Sequence, residues 1–464
     1  MKPKLTSEQR GLIIRLLDEG EDRDTIAQRA SVTPSQVSAI AAHRTMGRYG
    51  PRGPSATLAE HRDIQECSEP FTANSAGTSR SGSTEIPLGV DIDTNDPVNW
   101  PLHESTNPHV LIVGESGSGK TYTASRLVME LAHAGLPSII FDYGQGFSLQ
   151  HAPKAFRDRV RTVELQLGRD GIAINPLQIF PVDTHGPATV AQRVADTFVR
   201  VYPRLGVQQH ALLRRAVVEL LADADIVSEN PRTWNHPPPP FRDLEQKLIE
   251  YANADDAMTR RAAASAAPHV STLFFFNTFR ETGHALTWSD LIAHRNEVWI
   301  LQLGALEASV ERAVTEFLLW SLIRYFEVLG PGRLKCFVVL DEAHKLAFGP
   351  GSPVEKILRE GRKFGLGAIL ASQQPEDFSP VAFANTATKI VFQTADQSGH
   401  VSRQLHRKIR NGHSHEYIAT TIGTLPRGSA YVVIANAGHV TRMLSFEDAQ
   451  AGFDTNAPRT RDVK

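Results

Sequence analysis

From about residue 85 the chain alternates short apolar runs with stretches whose apolar positions recur every three or four residues. The short runs read as strands over 110–113, 138–141, 298–303, 337–340, 368–371, 389–392 and 431–434. The longer period predicts helices over 121–134, 189–202, 208–222, 241–253, 310–329, 353–364 and 401–410. Wholly apolar strands separated by amphipathic helices describe a sheet covered on both faces, so the predicted class is α/β with a mainly parallel sheet. His236-Pro-Pro-Pro-Pro240 stops both helix and central strand. Residues 185–290 therefore read as a helical insertion between sheet strands, and one further β-pair is possible over 85–93.

The first 48 residues have a different pattern. Thr6-Ser-Glu-Gln caps a helix whose apolar face is Leu12, Ile13, Leu16 and Leu17. A short helix is predicted over 24–30, and Thr33-Pro-Ser-Gln36 opens another. Ala27 is the small residue at the crossing, Val32 fills the turn, and Val37 and Ile40 face inward. This resembles a helix-turn-helix, with Ser31 where that family often has Gly. The resemblance implies that Ser35, Gln36, Ser38, Ala39 and His43 face a DNA major groove, and Lys2, Lys4, Arg44, Arg48 and Arg52 could meet phosphates. The alternative is an all-α bundle that docks a protein partner. Residues 49–84 are rich in Gly, Pro, Ser, Thr and Ala and read as a flexible linker, with a short helix possible near Leu58 to Cys67. The zone of alternating strands and helices would then span 85–450, leaving a polar tail at 451–464.

Composition narrows the class. In 464 residues, 49 Lys and Arg face 51 Asp and Glu, for a net charge of −2. That excludes a globally basic chromatin protein but not a local basic face. The two cysteines, Cys67 and Cys336, rule out a disulfide scaffold and fit a cytoplasmic location. The longest apolar stretch, 317–329, is interrupted by Arg324 and Glu327. It falls short of the roughly 20 apolar residues a membrane helix needs, so no membrane partner is expected.

The chemistry concentrates in three places. Gly114-Glu-Ser-Gly-Ser-Gly-Lys-Thr121 has the P-loop (Walker A) spacing and lies between a predicted strand and a predicted helix. Glycines let backbone N–H groups wrap a phosphate, Lys120 reaches the β- and γ-phosphates, and the Thr121 hydroxyl ligates Mg²⁺. The nucleotide-binding set is thus Gly114, Glu115, Ser116, Gly117, Ser118, Gly119, Lys120, Thr121 and the adjoining Tyr122, with ATP and Mg²⁺ as cofactors. Cys336-Phe-Val-Val-Leu-Asp-Glu342 is a strand ending in two carboxylates, the Walker B pattern. Asp341 would hold the Mg²⁺ shell and Glu342 would polarise the attacking water. A further strand runs into Gln373-Gln374; beside the P-loop strand it would bring Gln373, before Gln374, to the γ-phosphate.

Asp341-Glu-Ala-His344 spells the motif II letters of a helicase superfamily, but no Ser-Ala-Thr motif follows and about 220 residues separate the Walker motifs. The stretches His109 to Thr121, Ile140-Phe-Asp-Tyr-Gly-Gln-Gly-Phe147, Ile174-Asn-Pro-Leu177, Val298-Trp-Ile-Leu-Gln-Leu303, Arg359-Glu-Gly-Arg-Lys-Phe-Gly365 and Ala371-Ser-Gln-Gln-Pro375 resemble instead the HerA/FtsK superfamily of DNA translocases, on its HerA and conjugative-ATPase side. The resemblance covers about 85–446 and implies a RecA-like P-loop NTPase of the ASCE division. It further implies a homohexamer that drives double-stranded DNA through a central channel. Each site would take an arginine from the neighbouring copy, Arg362 first and Arg359 second, with Arg442 a possible sensor. Lys363 or the stretch Arg403 to Arg410 either faces the DNA backbone or is a solvated face. HerA proteins typically carry an N-terminal β-barrel, for which this chain shows little more than the possible pair near residue 85. A nuclease or other effector partner in phage defence or mobile-element processing fits the leading reading. The second reading is an ATP-gated DNA-binding switch that does not translocate.

Overall fold

The structure is a computed structural model. It describes residues 9, 12, 13, 16, 17, 23–33 and 37, and then 85–102, 107–276, 278–280, 287–373, 378, 380–410 and 412–450. The chain divides into two units, Met1–Ser81 and Gly82–Lys464.

In the first unit a helix spans Arg23–Arg29. Ile13, Leu16, Ile26, Ala27, Ala30 and Val37 close a small core, with Leu12, Leu17 and Val32 against it. Ser31 takes a left-handed φ of 52°, and the turn closes through Val32 N–H to the Ala27 carbonyl at 2.9 Å. The linker, Ile40, the groove-facing set, Lys2, Lys4, Arg44, Arg48, Arg52 and the tail lie outside the described residues.

The second unit is built on one sheet of eleven strands. They are β1 Glu85–Asp91, β2 Pro97–Pro101, β3 Val110–Val113, β4 Ser138–Asp142, β5 Arg161–Gln166, β6 Glu297–Gln302, β7 Cys336–Leu340, β8 Leu366–Ser372, β9 Thr388–Val391, β10 Ser429–Ile434 and β11 Ala437–Met443. Their order is β2-β1-β11-β10-β9-β3-β8-β7-β4-β6-β5. Every neighbouring pair from β9 to β5 is parallel. The pairs from β2 to β9 are antiparallel.

Strand periodicity divides the core between the two faces. Leu111 and Val113 join one cluster, while Val110 and Ile112 join the other. The inserted helices Pro187–Val201, Val207–Asp223, Asp243–Ala252, Ala257–Phe275 and Trp288–Ala293 lie between β5 and β6, and their apolar faces merge with the first cluster. Asp183 is buried and accepts from Arg193 at 2.9 Å, with Arg324 at 3.3 Å. The pair ties the insertion to the long helix Ala308–Leu329.

The expected elements appear with three corrections. The stretch 85–93, expected as a possible β-pair, holds the single strand β1, whose partners are β2 at Pro97–Pro101 and β11, so it extends the ATPase sheet. The helix expected over 401–410 is His400–His406. Three strands were not anticipated: β2, β5 and β11. β5 is an edge strand with charged positions, and β11 reads Ala-Gly-His-Val-Thr-Arg-Met, too polar for an apolar run. Among the described residues no helix is long and apolar enough to cross a membrane.

The connection into β8 is tight. Gly365 ends helix Pro353–Phe364 with φ 87°, in the left-handed region that favours glycine. A Cβ there would stand 2.3 Å from the Arg333 carbonyl oxygen. Gly365→Ala is therefore expected to cost roughly 2–4 kcal/mol in thermal or urea unfolding. Gly423→Ala, in open space within helix His415–Thr424, should be neutral or stabilising. Equal stability of the two variants would contradict this account of the turn.

Candidate nucleotide site

Parallel strands bring their carboxyl ends to one edge of the sheet, the usual place for a ligand in such folds. At that edge β3 delivers the P-loop, β7 delivers Asp341 and Glu342, β8 delivers Gln373, and β4 ends on Asp142. β8 lies between β3 and β7.

The P-loop needs its glycines for space and for conformation. A Cβ on Gly114 would meet Phe392 Cβ at 2.6 Å and Ser118 Oγ at 2.7 Å. Gly117 and Gly119 have φ of 75° and 112°. The loop then enters helix Lys120–His133, whose first N–H groups lack helical partners and suit an anion. Lys120 is buried, and its Nζ donates to the Glu115 carbonyl at 2.8 Å. Burial lowers its pKa, while Glu342, Asp341 and Glu115 act in the opposite sense.

Facing it are carboxylates in excess. Asp341 is 4% exposed. Burial, then Asp142, then Glu342 push its pKa up to about 7, against Lys120. Glu342 sits in a left-handed conformation, φ 50° and ψ 47°, a strained state for a side chain of this size. Gln373 Nε2 donates to Glu342 Oε1 at 2.5 Å. His344 Nδ1 lies 3.2 Å from Glu342 Oε2 and 3.2 Å from Ser372 Oγ. Asp142 is held by N–H groups of Gly144 and Phe147 at 3.1 and 2.9 Å and by Gln302 Nε2 at 2.9 Å.

This arrangement suits a divalent cation. Thr121 Oγ1 and Asp341 Oδ2 both lie close to Gly146, 3.7 and 3.8 Å from where a Cβ on it would stand. A hydroxyl, a carboxylate and uncompensated negative charge are hard-oxygen chemistry of the kind Mg²⁺ takes together with phosphate oxygens.

The remaining expected residues divide. Tyr122 is partly exposed, and its hydroxyl accepts from Phe446 N–H at 3.0 Å while the two rings meet edge to face at 4.9 Å. It fastens the P-loop helix to the segment after β11. Arg442 lies on β11, paired with Val90 and Ser429; β10 and β9 separate that strand from β3. Arg359 pairs with Glu355 at 2.9 Å. Arg362 is exposed near the foot of helix Pro353–Phe364, where its charge acts on His109 at the start of β3. The fold therefore groups Lys120, Thr121, Asp341, Glu342 and Gln373, and sets Arg359, Arg362 and Arg442 apart from them. Gln374 is outside the described residues. Asp142, Gly146, Gln302 and His344 were not anticipated as site residues. The one available signal was an acid closing the buried strand Ser138–Asp142.

Asp341 stores electrostatic strain. Because its folded pKa is raised, the proton it keeps between about pH 4 and 7 favours the folded state, and that stability is lost as pH rises through 7. Asp341→Asn should raise the nucleotide-free melting temperature at pH 8 by about 2–4 °C or more, with the gain shrinking below pH 7. A variant that melts lower than the parent at pH 8 would contradict the charge-excess reading.

Residues 93–322 match the family described as "Helicase HerA, central domain". Over 400 residues the chain is 23% identical to the DNA double-strand break repair helicase HerA of Sulfurisphaera tokodaii, spanning 83% of this chain and 73% of that protein. In fold it is similar to VirB4 of Thermoanaerobacter pseudethanolicus, with a TM-score of 0.63 and 19% identity over 80% of this chain and 98% of that one. It is also similar to the plasmid coupling protein TrwB in complex with ADP and Mg²⁺, with a TM-score of 0.50 and 15% identity over 73% of this chain and 86% of that one. Together with the P-loop and the acidic strand end on either side of β8, these similarities identify the larger unit as a P-loop ATPase domain of the HerA/FtsK type, whose residues 93–322 match the HerA central-domain model.

Proposed function

We propose that this protein is a Mg²⁺-dependent ATPase that assembles as a homohexameric ring and moves or remodels double-stranded DNA. The observation that carries the reading is the place of β8 between the P-loop strand and the Asp341–Glu342 strand, which puts Gln373 against Glu342 within a domain of HerA type. By their names, HerA is a DNA double-strand break repair helicase and TrwB a plasmid coupling protein. Their likeness supports a DNA-directed motor.

The chemistry follows from the side chains. Lys120 leaves the Glu115 carbonyl for the β- and γ-phosphate oxygens, where its charge is matched. Thr121 Oγ1 and Asp341 would hold Mg²⁺, which would supply charge neutralisation for the phosphate oxygens. Glu342 accepts a proton from the attacking water as the new P–O bond forms. The β–γ bridging P–O bond breaks, and ADP and phosphate leave. For this the Gln373 amide must move from Glu342 Oε1 to the γ-phosphate, so Gln373 holds Glu342 back until nucleotide is present. Arg362 lies away from the P-loop of its own copy and is suited to complete a neighbour's site, where a permanently charged guanidinium meets charge developing on the transferred group. The N-terminal helices act as a recruiting module for DNA or for a nuclease or other effector.

Two tests apply. Lys120→Ala and Arg362→Ala should each be inactive alone, Arg362→Ala by roughly 10³-fold in kcat. Mixed before assembly they should recover activity, because an intact P-loop from one copy meets an intact arginine from the other. No recovery in verified mixed assemblies would remove the trans role. Second, double-stranded DNA should stimulate ATP turnover and drive displacement of a triplex-forming strand. ATPase activity that is indifferent to DNA would remove the motor reading.

A further inference from the structure

We propose that the helical hairpin His400–His406 and His415–Thr424 is the surface that grips the phosphodiester backbone of double-stranded DNA, and that the segment preceding it links this grip to the P-loop. The inference rests on the DNA-motor reading and names where that motor holds its track.

The hairpin is inserted between β9 and β10. Its first helix is two-faced. Val401, Ser402 and Leu405 are buried, while Arg403, His406, Arg407 and Arg410 are exposed. Arg403, His406 and Arg407 follow i, i+3 and i+4, a single helical face; Arg410 lies beyond the helix, its N–H on the Asn436 carbonyl at 2.8 Å. The helix ends at His406, but Arg407 keeps helical angles, φ −63° and ψ −17°, and the stripe continues through it. Among the described residues no carboxylate forms an ion pair with Arg403, Arg407, Lys408 or Arg410. Arg403 is instead braced on the Ser398 carbonyl, and Lys408 on that of Ala384 at 3.4 Å. The second helix adds His415, its ring 6.2 Å from that of His406, and the exposed Tyr417. Its nearby acid, Glu416, lies 3.0 Å from His415. A row of permanently charged, planar donors with no acidic partner complements phosphates.

The segment before the hairpin is bolted to the nucleotide loop. Phe392 N–H donates to the Val113 carbonyl at 2.8 Å, and Glu115 N–H to the Gln393 carbonyl at 2.9 Å. Ala395 N–H donates to Glu115 Oε1 at 3.1 Å. The Phe392 side chain fills the space where a Gly114 Cβ would stand. One residue past Ala395, Asp396 caps the hairpin's first helix through the N–H groups of Val401 and Ser402 at 3.1 and 2.8 Å. The path from P-loop to cationic face thus runs through one short segment hydrogen-bonded at both ends. A movement of Glu115, which also receives Lys120, would be felt at the stripe.

The test uses the full chain and a blunt 30-base-pair duplex. Arg407→Ala/Arg410→Ala should weaken duplex binding at least about tenfold at 100 mM salt and reduce the slope of log K against log salt by about 2 per engaged copy. DNA stimulation of the ATPase should be lost while basal turnover stays within about twofold. Arg407→Lys/Arg410→Lys should retain most binding. Arg214→Ala/Arg215→Ala, an equal charge loss on the exposed face of an inserted helix, should change neither. Unchanged affinity and slope in a folded Arg407→Ala/Arg410→Ala variant would overturn the assignment. So would loss of self-assembly with DNA affinity intact, which would make the hairpin a contact between copies. If the unaltered protein fails to bind duplex at all, the motor reading falls with it; if the unaltered protein binds and the variant binds equally, only the hairpin assignment falls.

Discussion

Everything at the nucleotide site depends on one electrostatic constraint: negative charge is buried in excess of the positive charge that faces it. Asp142, Asp341 and Glu342 come together at the carboxyl edge of the sheet, with Lys120 as their close cation. Such a cluster is costly without a further cation. The parallel strands make the cost unavoidable, because β4, β7 and β3 point their ends the same way. In the proposed ATPase a divalent ion and a nucleotide would relieve it together, the ion by neutralising carboxylates and the phosphates by engaging Lys120 and the P-loop N–H groups. Binding energy is thus built into the fold as unrelieved repulsion.

The same edge explains why the site can report its state. Gln373 leaves β8 and holds Glu342, and Glu115 leaves the P-loop and holds both Lys120 and the backbone of Ala395. Each is a hydrogen bond that nucleotide would have to replace. In the proposed reaction one change would therefore reach Glu342 and the segment leading to the cationic hairpin. In the proposed ring, Arg362 carries a third consequence to the next copy. A near-neutral chain is compatible with this role, since a ring gathers one short cationic stripe from every subunit around a common axis.

The central fold was legible because its signals are physically strong. Strands 110–113 and 337–340 are wholly apolar, and the glycine spacing at 114–121 serves one purpose. Those features predicted the parallel sheet and the P-loop, and the place of Gln373 beside the P-loop strand followed once β8 was read as a strand. Edge elements were less legible. β5 and β11 bury too little to show an apolar run, and helix Ala257–Phe275 is rich in alanine with Pro268 inside it, which blurs its period. Asp142 and Gly146 went unnoticed for another reason: their importance lies in contacts with Asp341 and Thr121, some 200 and 25 residues distant in sequence. No local pattern encodes that proximity. The approach of His344 to Glu342 was likewise hidden, because a helical-turn spacing says nothing about the strained φ of the glutamate itself.

The central claim is that ATP and DNA act through a closed assembly in which neighbours complete each other's sites. Native mass spectrometry of the Glu342→Gln variant, which should bind ATP without hydrolysing it, tests this most directly. With ATP, Mg²⁺ and duplex DNA the account predicts a hexamer that retains nucleotide and DNA together. A monomer under every combination of nucleotide and DNA would contradict it.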